Sequence, residues 1–170
     1  GTLGGGCVEG DIWYASQMLL KEGGDAKLTD YMLNEEIAAR EGLVCGGTMY
    51  FLIDPVFDPK SMANLTTNIV GAYDGESSVG VATLLKPALG KGATGDKLLL
   101  SKDGSFSGSL GDELRDNEAV ESLSALVDYG RVTTLITKDG SQVFLEGFTT
   151  PASVVIAGGG HISNALAPLV

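Results

Sequence analysis

The sequence predicts an α/β protein: an α+β half with a mixed sheet, built twice, followed by a strand–turn–helix unit of a different kind. Three observations carry that prediction. Helical and strand patterns alternate along the 170 residues. A tetrapeptide with a helix behind it occurs twice, and a short apolar run near the C-terminus opens into a glycine turn.

The first element is a helix over 7–20, because Val8, Ile12, Trp13, Ala15, Met18 and Leu19 fall mostly on one helical face and Gly23-Gly24 ends the pattern. A strand is expected over 26–33. Asn34-Glu35-Glu36 then reads as a cap for a short helix reaching Arg40. A glycine corner, Cys45-Gly46-Gly47, leads into a β-rich strand over 48–53, closed by Asp54-Pro55. Asp58-Pro59 is a helix N-cap and first-turn pair, and Met62, Leu65, Ile69 and Tyr73 make an apolar stripe behind it. Strands are expected over 79–85 and 97–100. A strong helix over 113–128 carries Leu114, Val120, Leu123, Leu126 and Val127 on its apolar side. Two strands, 131–137 and 142–148, flank the hairpin signal Asp139-Gly140. Asp103 and Asp139, each before a glycine, read as turn residues.

The repeat is seen by laying the chain on itself. Gly1-Thr2-Leu3-Gly4 matches Gly108-Ser109-Leu110-Gly111 at a spacing of 107, and Phe51-Leu52 matches Phe144-Leu145 at a spacing of 93. Leu114 then stands where the first half has Cys7, and Asp112 and Glu113 stand where it has Gly5 and Gly6. The stretch holding Cys45 is deleted. Both cysteines and their glycines belong to one half, which is therefore read as the ligand-handling one. The organisation expected is 1–57 as part of a first repeat, 58–78 as a connecting helix and turn, 79–148 as a second, degenerate repeat, and 149–170 as a further domain's start.

That last unit is Ser153-Val154-Val155-Ile156-Ala157, read as a buried strand, followed by Gly158-Gly159-Gly160-His161 and a helix start. Strand, glycine turn and helix in this order resemble the opening of a Rossmann-like domain, with Gly158 making the turn and Gly160 letting a phosphate approach. His161, the one histidine, reads either as a solvated turn residue or as a ligand contact. The chain reads as a fragment, since it opens without Met inside a glycine loop and stops a turn or two into this helix.

The chemistry sits at Gly4, Gly5, Gly6, Cys7 and Glu9. Three glycines leave backbone N–H groups open to an anion, and the next residue offers a soft, ionisable sulfur. Cys45, Gly46 and Gly47 form a second corner of the same kind. The alternative for each cysteine is a small buried hydrophobe. A net charge of −11, with 11 scattered basic residues, argues against a nucleic-acid partner. No apolar stretch is long enough to span a membrane. Two cysteines, neither in a CxxC pair, make neither a disulfide framework nor a complete zinc site and fit a reducing cytoplasm.

Gly1-Thr2-Leu3-Gly4-Gly5-Gly6-Cys7-Val8-Glu9, Cys45-Gly46-Gly47 and Val154-Val155-Ile156-Ala157-Gly158-Gly159-Gly160-His161-Ile162 together resemble the XdhC/CoxI family, the xanthine dehydrogenase accessory factors. Residues 81–85 and 97–108 also resemble the opening of that family's first domain. The resemblance implies a cytoplasmic accessory protein without catalytic residues of its own. It would bind molybdenum cofactor (molybdopterin) while a cysteine desulfurase provides sulfur, then pass it to a xanthine dehydrogenase-like molybdenum hydroxylase, with a homodimer as one expected state. Gly4 to Gly6 would cradle the pterin phosphate, the Cys7 thiolate would meet the metal, and Cys45 would line the same pocket. Glu9 would cap the helix or touch the pterin, capping being the simpler role. Ser163 replaces a glycine usual in the last motif. An NAD(P)-dependent oxidoreductase led by the Rossmann-like unit is the alternative, and a purely structural adaptor is a third reading.

Overall fold

The computed structural model describes residues 8–33, 47–88 and 92–169. Its elements, in order, are α1 (Glu9–Glu22), β1 (Lys27–Leu33), β2 (Gly47–Ile53), a 3-10 turn (Pro59–Met62) running into α2 (Ala63–Tyr73), β3 (Val79–Lys86), β4 (Lys97–Ser101), β5 (Phe106–Gly108), α3 (Glu113–Ser124), a 3-10 turn (Val127–Tyr129), β6 (Val132–Ile136), β7 (Gln142–Phe148) and α4 (His161–Leu166). The protein is thus mixed α and β, with four α-helices among the described residues. The helix expected after Asn34 lies outside them.

Five strands form one sheet in the order β5-β4-β3-β7-β6, and every neighbouring pair is antiparallel. The expectation of a mixed sheet is corrected here. The segment through α3 carries the chain to the sheet edge, where β6 runs in the direction of β3. The hairpin return then inserts β7 between them, so no parallel strands become neighbours.

β3 is buried on both faces, and its alternation divides the core in two. Ala82 and Leu84 face one way with Leu98, Leu100, Val143 and Leu145, and α3 covers them with Ala119 and Leu123. Val79, Val81 and Leu99 face the other way and meet Ala72, Leu65 and Ile69 of α2. The Asp58 carboxylate accepts from Lys60 N–H at 3.0 Å, as its N-cap position predicts. Ordering α2 on this face also uses Tyr73, whose ring meets Phe148 edge-on at 6.0 Å.

β1 and β2 form a separate antiparallel hairpin with Lys27 opposite Ile53 and Leu33 opposite Gly47. Asp54 pairs with Lys97 of β4, which joins the hairpin's base to the main sheet. Tyr31 and Phe51 pack edge to face at 5.8 Å on the hairpin.

Four sequence expectations change. The helix expected over 113–128 ends at Ser124, because the chain tightens into a 3-10 turn that Gly130, at φ +58°, then closes. Leu114 is 74% exposed: with Asp112 as N-cap, Arg115, Asp116, Ala119 and Leu123 take the inward positions. Trp13 is 63% exposed, since only Val8 and Ile12 of the first helical stretch are buried. The expected strand at 153–157 does not form, and Val155 is 92% exposed. A buried strand needs ladder partners on its edges, and among the described residues none pairs with it. No helix among the described residues is long and apolar enough to cross a membrane.

Candidate functional site

Gly4, Gly5, Gly6, Cys7, Cys45 and Gly46 lie outside the described residues. Their flanks are described. Val8, buried, is the N-cap of α1 and its carbonyl accepts from Ile12 N–H at 2.9 Å, so the chain after Cys7 enters a helix directly. Glu9, half-buried, and Asp11 are the acids of the first turn, favourable against the helix dipole. Gly47 opens β2 at φ +125°, and a β-carbon placed there would meet no atom of the described residues within 4 Å. The Gly47 backbone is therefore open to close approach from them.

The C-terminal motif has a different setting. Gly158 has φ +114° and Gly160 is the extended N-cap of α4, accepting from Asn164 N–H at 3.0 Å. His161 is exposed at the first position of a helix of 6 residues. Turn and helix start are present, and among the described residues no strand stands ahead of them.

The second half shows what its own glycine corner does. Gly108 and Gly111 both have positive φ, and between them Leu110 is fully buried. Asp116 reaches back from α3: one oxygen accepts from Leu110 N–H at 2.6 Å, the other from the Ser109 hydroxyl at 2.7 Å. Arg115 Nη1 donates to Leu110 O at 2.5 Å, and Nη2 to the Asp139 carboxylate at 2.6 Å. The corner is thus closed by the protein's own groups. Asp139 also accepts from the Thr137 hydroxyl at 2.5 Å and from Ser141 N–H at 2.9 Å. The Thr137 hydroxyl first, and the Arg115 guanidinium second, hold its carboxyl well below the usual carboxylate range. Asp103 is a turn acid, accepting from both Ser105 N–H and its hydroxyl, which lower its pKa.

The sequence reading missed an open cleft between the hairpin and the five-stranded sheet. Lys27 and Lys86 stand on its walls with Tyr50, Thr94 and Gln142, and among the described residues Asp30 is the one acid lining it. Strand patterns give each wall separately, but only the tertiary arrangement brings β1, β2 and the end of β3 together. No group of three or more His, Cys, Asp or Glu suited to a metal occurs among the described residues. No protein-family model and no curated protein matches this chain.

Proposed function

We propose that this protein is a non-catalytic accessory factor that holds molybdenum cofactor during its sulfuration and delivers it to a xanthine dehydrogenase-type molybdenum hydroxylase. One observation carries the reading: the two glycine corners that the repeat aligns differ in the residues they carry. In the second half Asp116 and Arg115 fill the corner with side-chain contacts. The first half has three glycines and Cys7 at the matching positions, Val8 in place of Arg115, Glu9 in place of Asp116, and a second cysteine corner that the other half lacks. A duplicated corner that has lost the arginine and gained three glycines and a thiol is suited to a ligand with an anionic end and a soft centre.

The residues fit the cofactor by the chemistry of their donors. The chain's two thiols, Cys7 and Cys45, each adjoin glycines, and the open Gly47 backbone follows the second. Gly4, Gly5 and Gly6 would take the phosphate, Cys7 would face the metal, and Cys45 with Gly46 would line the pocket. Glu9 holds the first turn of α1. When bound, the cofactor supplies the molybdenum centre on which the client's chemistry depends. In the same reading, 1–57 and 79–148 are the two repeats, and 149–170 is the opening unit of a Rossmann-like domain. Gly158, Gly160 and His161 then serve that domain.

Transfer is the test. Cofactor-loaded protein mixed with apo-hydroxylase should restore hydroxylase activity, and Cys7→Ala should slow that restoration. Undiminished transfer by a folded Cys7→Ala protein would remove the role given to the thiol.

A further inference from the structure

An irregularity at the end of β3 aims a lysine into the cleft between hairpin and sheet. Leu84 lies opposite Val143 and Lys86 opposite Gln142, so β3 advances two residues while β7 advances one. Leu85 is the extra residue of a β-bulge, and its effect follows from strand alternation. Leu84 and Val143 are buried in the core that α3 covers, and in a regular strand Lys86, two residues on, would share their face. The bulge sets it beside Gln142 instead, on the opposite face, where Lys97 pairs with Asp54 at the base of the hairpin. The facing wall is held in place as well. The Thr94 hydroxyl donates to Leu85 O at 3.2 Å, and Gly95, at φ +96°, lies so close to the start of β1 that a β-carbon there would stand 2.6 Å from Ala26 Cβ. Lys27 follows Ala26 directly. Tyr50 of β2 stands opposite Asp30 of β1, both lining the cleft, and Tyr50 is 71% exposed.

The charge of this cleft runs against that of the chain. The protein has 22 acidic and 11 basic residues, yet among the described residues two lysines and one acid line a space of about 660 Å³. Neither lysine has an ion pair among the described residues, whereas Lys97, Lys102 and Arg115 each pair with an aspartate. The volume falls within the ~300–1,000 Å³ of small-molecule sites.

We infer that this cleft binds a small phosphate monoester carrying an aromatic ring, with Lys27 and Lys86 holding the phosphate and Tyr50 meeting the ring. The Gln142 side-chain amide offers a further donor. A nucleic acid or an acidic peptide is the poorer ligand, because it would run past the two lysines over a chain of net charge −11. A small anion meets the local lysines, and charges farther away than about 8 Å are largely screened. The site is separate from the cofactor reading, since none of its residues is among those assigned to molybdopterin.

The experiment titrates phenyl phosphate, and separately inorganic phosphate, into the isotope-labelled full chain and follows its amide resonances. Phenyl phosphate should give saturable shifts centred on 27–30, 50 and 86, and should bind about threefold or more tighter than inorganic phosphate. Tyr50→Leu should abolish that difference and leave inorganic phosphate unaffected. Lys27→Met and Lys86→Met should each weaken binding about threefold and together about tenfold, whereas Asp30→Asn should tighten it about threefold. All four side chains are exposed, so these variants keep the core intact. Cys7→Ala should bind both probes as the wild type does. Absence of saturable shifts at the cleft, equal affinity for the two probes, or undiminished binding by the double lysine variant overturns the proposal. So does loss of binding in Cys7→Ala, which would put the anion at the glycine corner instead.

Discussion

Asp116 is the residue on which the second half's glycine corner turns, because its two oxygens satisfy a buried backbone N–H and a neighbouring hydroxyl at once. Asp116→Ala should destabilise the protein by about 2 kcal/mol, the cost of leaving Leu110 N–H buried without its acceptor, as read from urea unfolding. The sign of pH dependence follows from two other acids. Asp139 has a folded pKa below its ordinary 3.8, so its contribution is complete above that value and is lost as pH falls through the folded pKa. Asp139→Asn should therefore flatten the loss of stability measured below about pH 4. Glu146 runs the other way. Burial pushes its pKa above the ordinary 4.5, against the opposing pull of Lys97, so its contribution is present below that value and declines as pH rises through the folded pKa.

At the scale of elements, β7 is the strand that ties the sheet together, paired on both edges and with Leu145 fully buried between α3 and β3. Leu145→Ala should cost about 2–5 kcal/mol in the same unfolding measurement. The pairing of β5 with β4 depends on Gly108 at φ +84°, at the end of β5, where a β-carbon would stand 2.3 Å from Lys97 O. Gly108→Ala should cost about 1–3 kcal/mol and loosen β5 first, visible as faster amide exchange over 106–108.

These elements also show what periodicity can and cannot reveal. The stripe Leu65, Ile69 and the run at Val79, Val81 fix their own partners, because apolar residues at helix and strand spacing have one face to bury. Leu114 misled, since hydrophobicity alone does not reveal that Arg115 and Asp116 would be drawn inward by the loop they cap. The apolar run at 153–157 misled for a related reason. A strand is a property of its neighbours, and Val154 and Val155 have none among the described residues. The cleft bearing Lys27 and Lys86 was not legible at all, since its walls are far apart in sequence.

For the whole molecule, the proposed function turns on a difference in sequence between two glycine corners. The corner at Gly108–Gly111 is closed by Arg115 and Asp116. The one at Gly4–Gly6 is followed by Cys7 and Val8, and Cys7 and Cys45 are the only cysteines in 170 residues. Equilibrium binding of molybdopterin by the purified protein, followed through pterin fluorescence in wild type, Cys7→Ala and Asp116→Ala, tests this division most directly. The account predicts saturable binding by wild type, about tenfold weaker binding by Cys7→Ala, a loss of about 1.4 kcal/mol, and wild-type affinity for folded Asp116→Ala despite its lower stability. Absence of binding by the wild-type protein, or equal affinity in the Cys7→Ala variant, would contradict it.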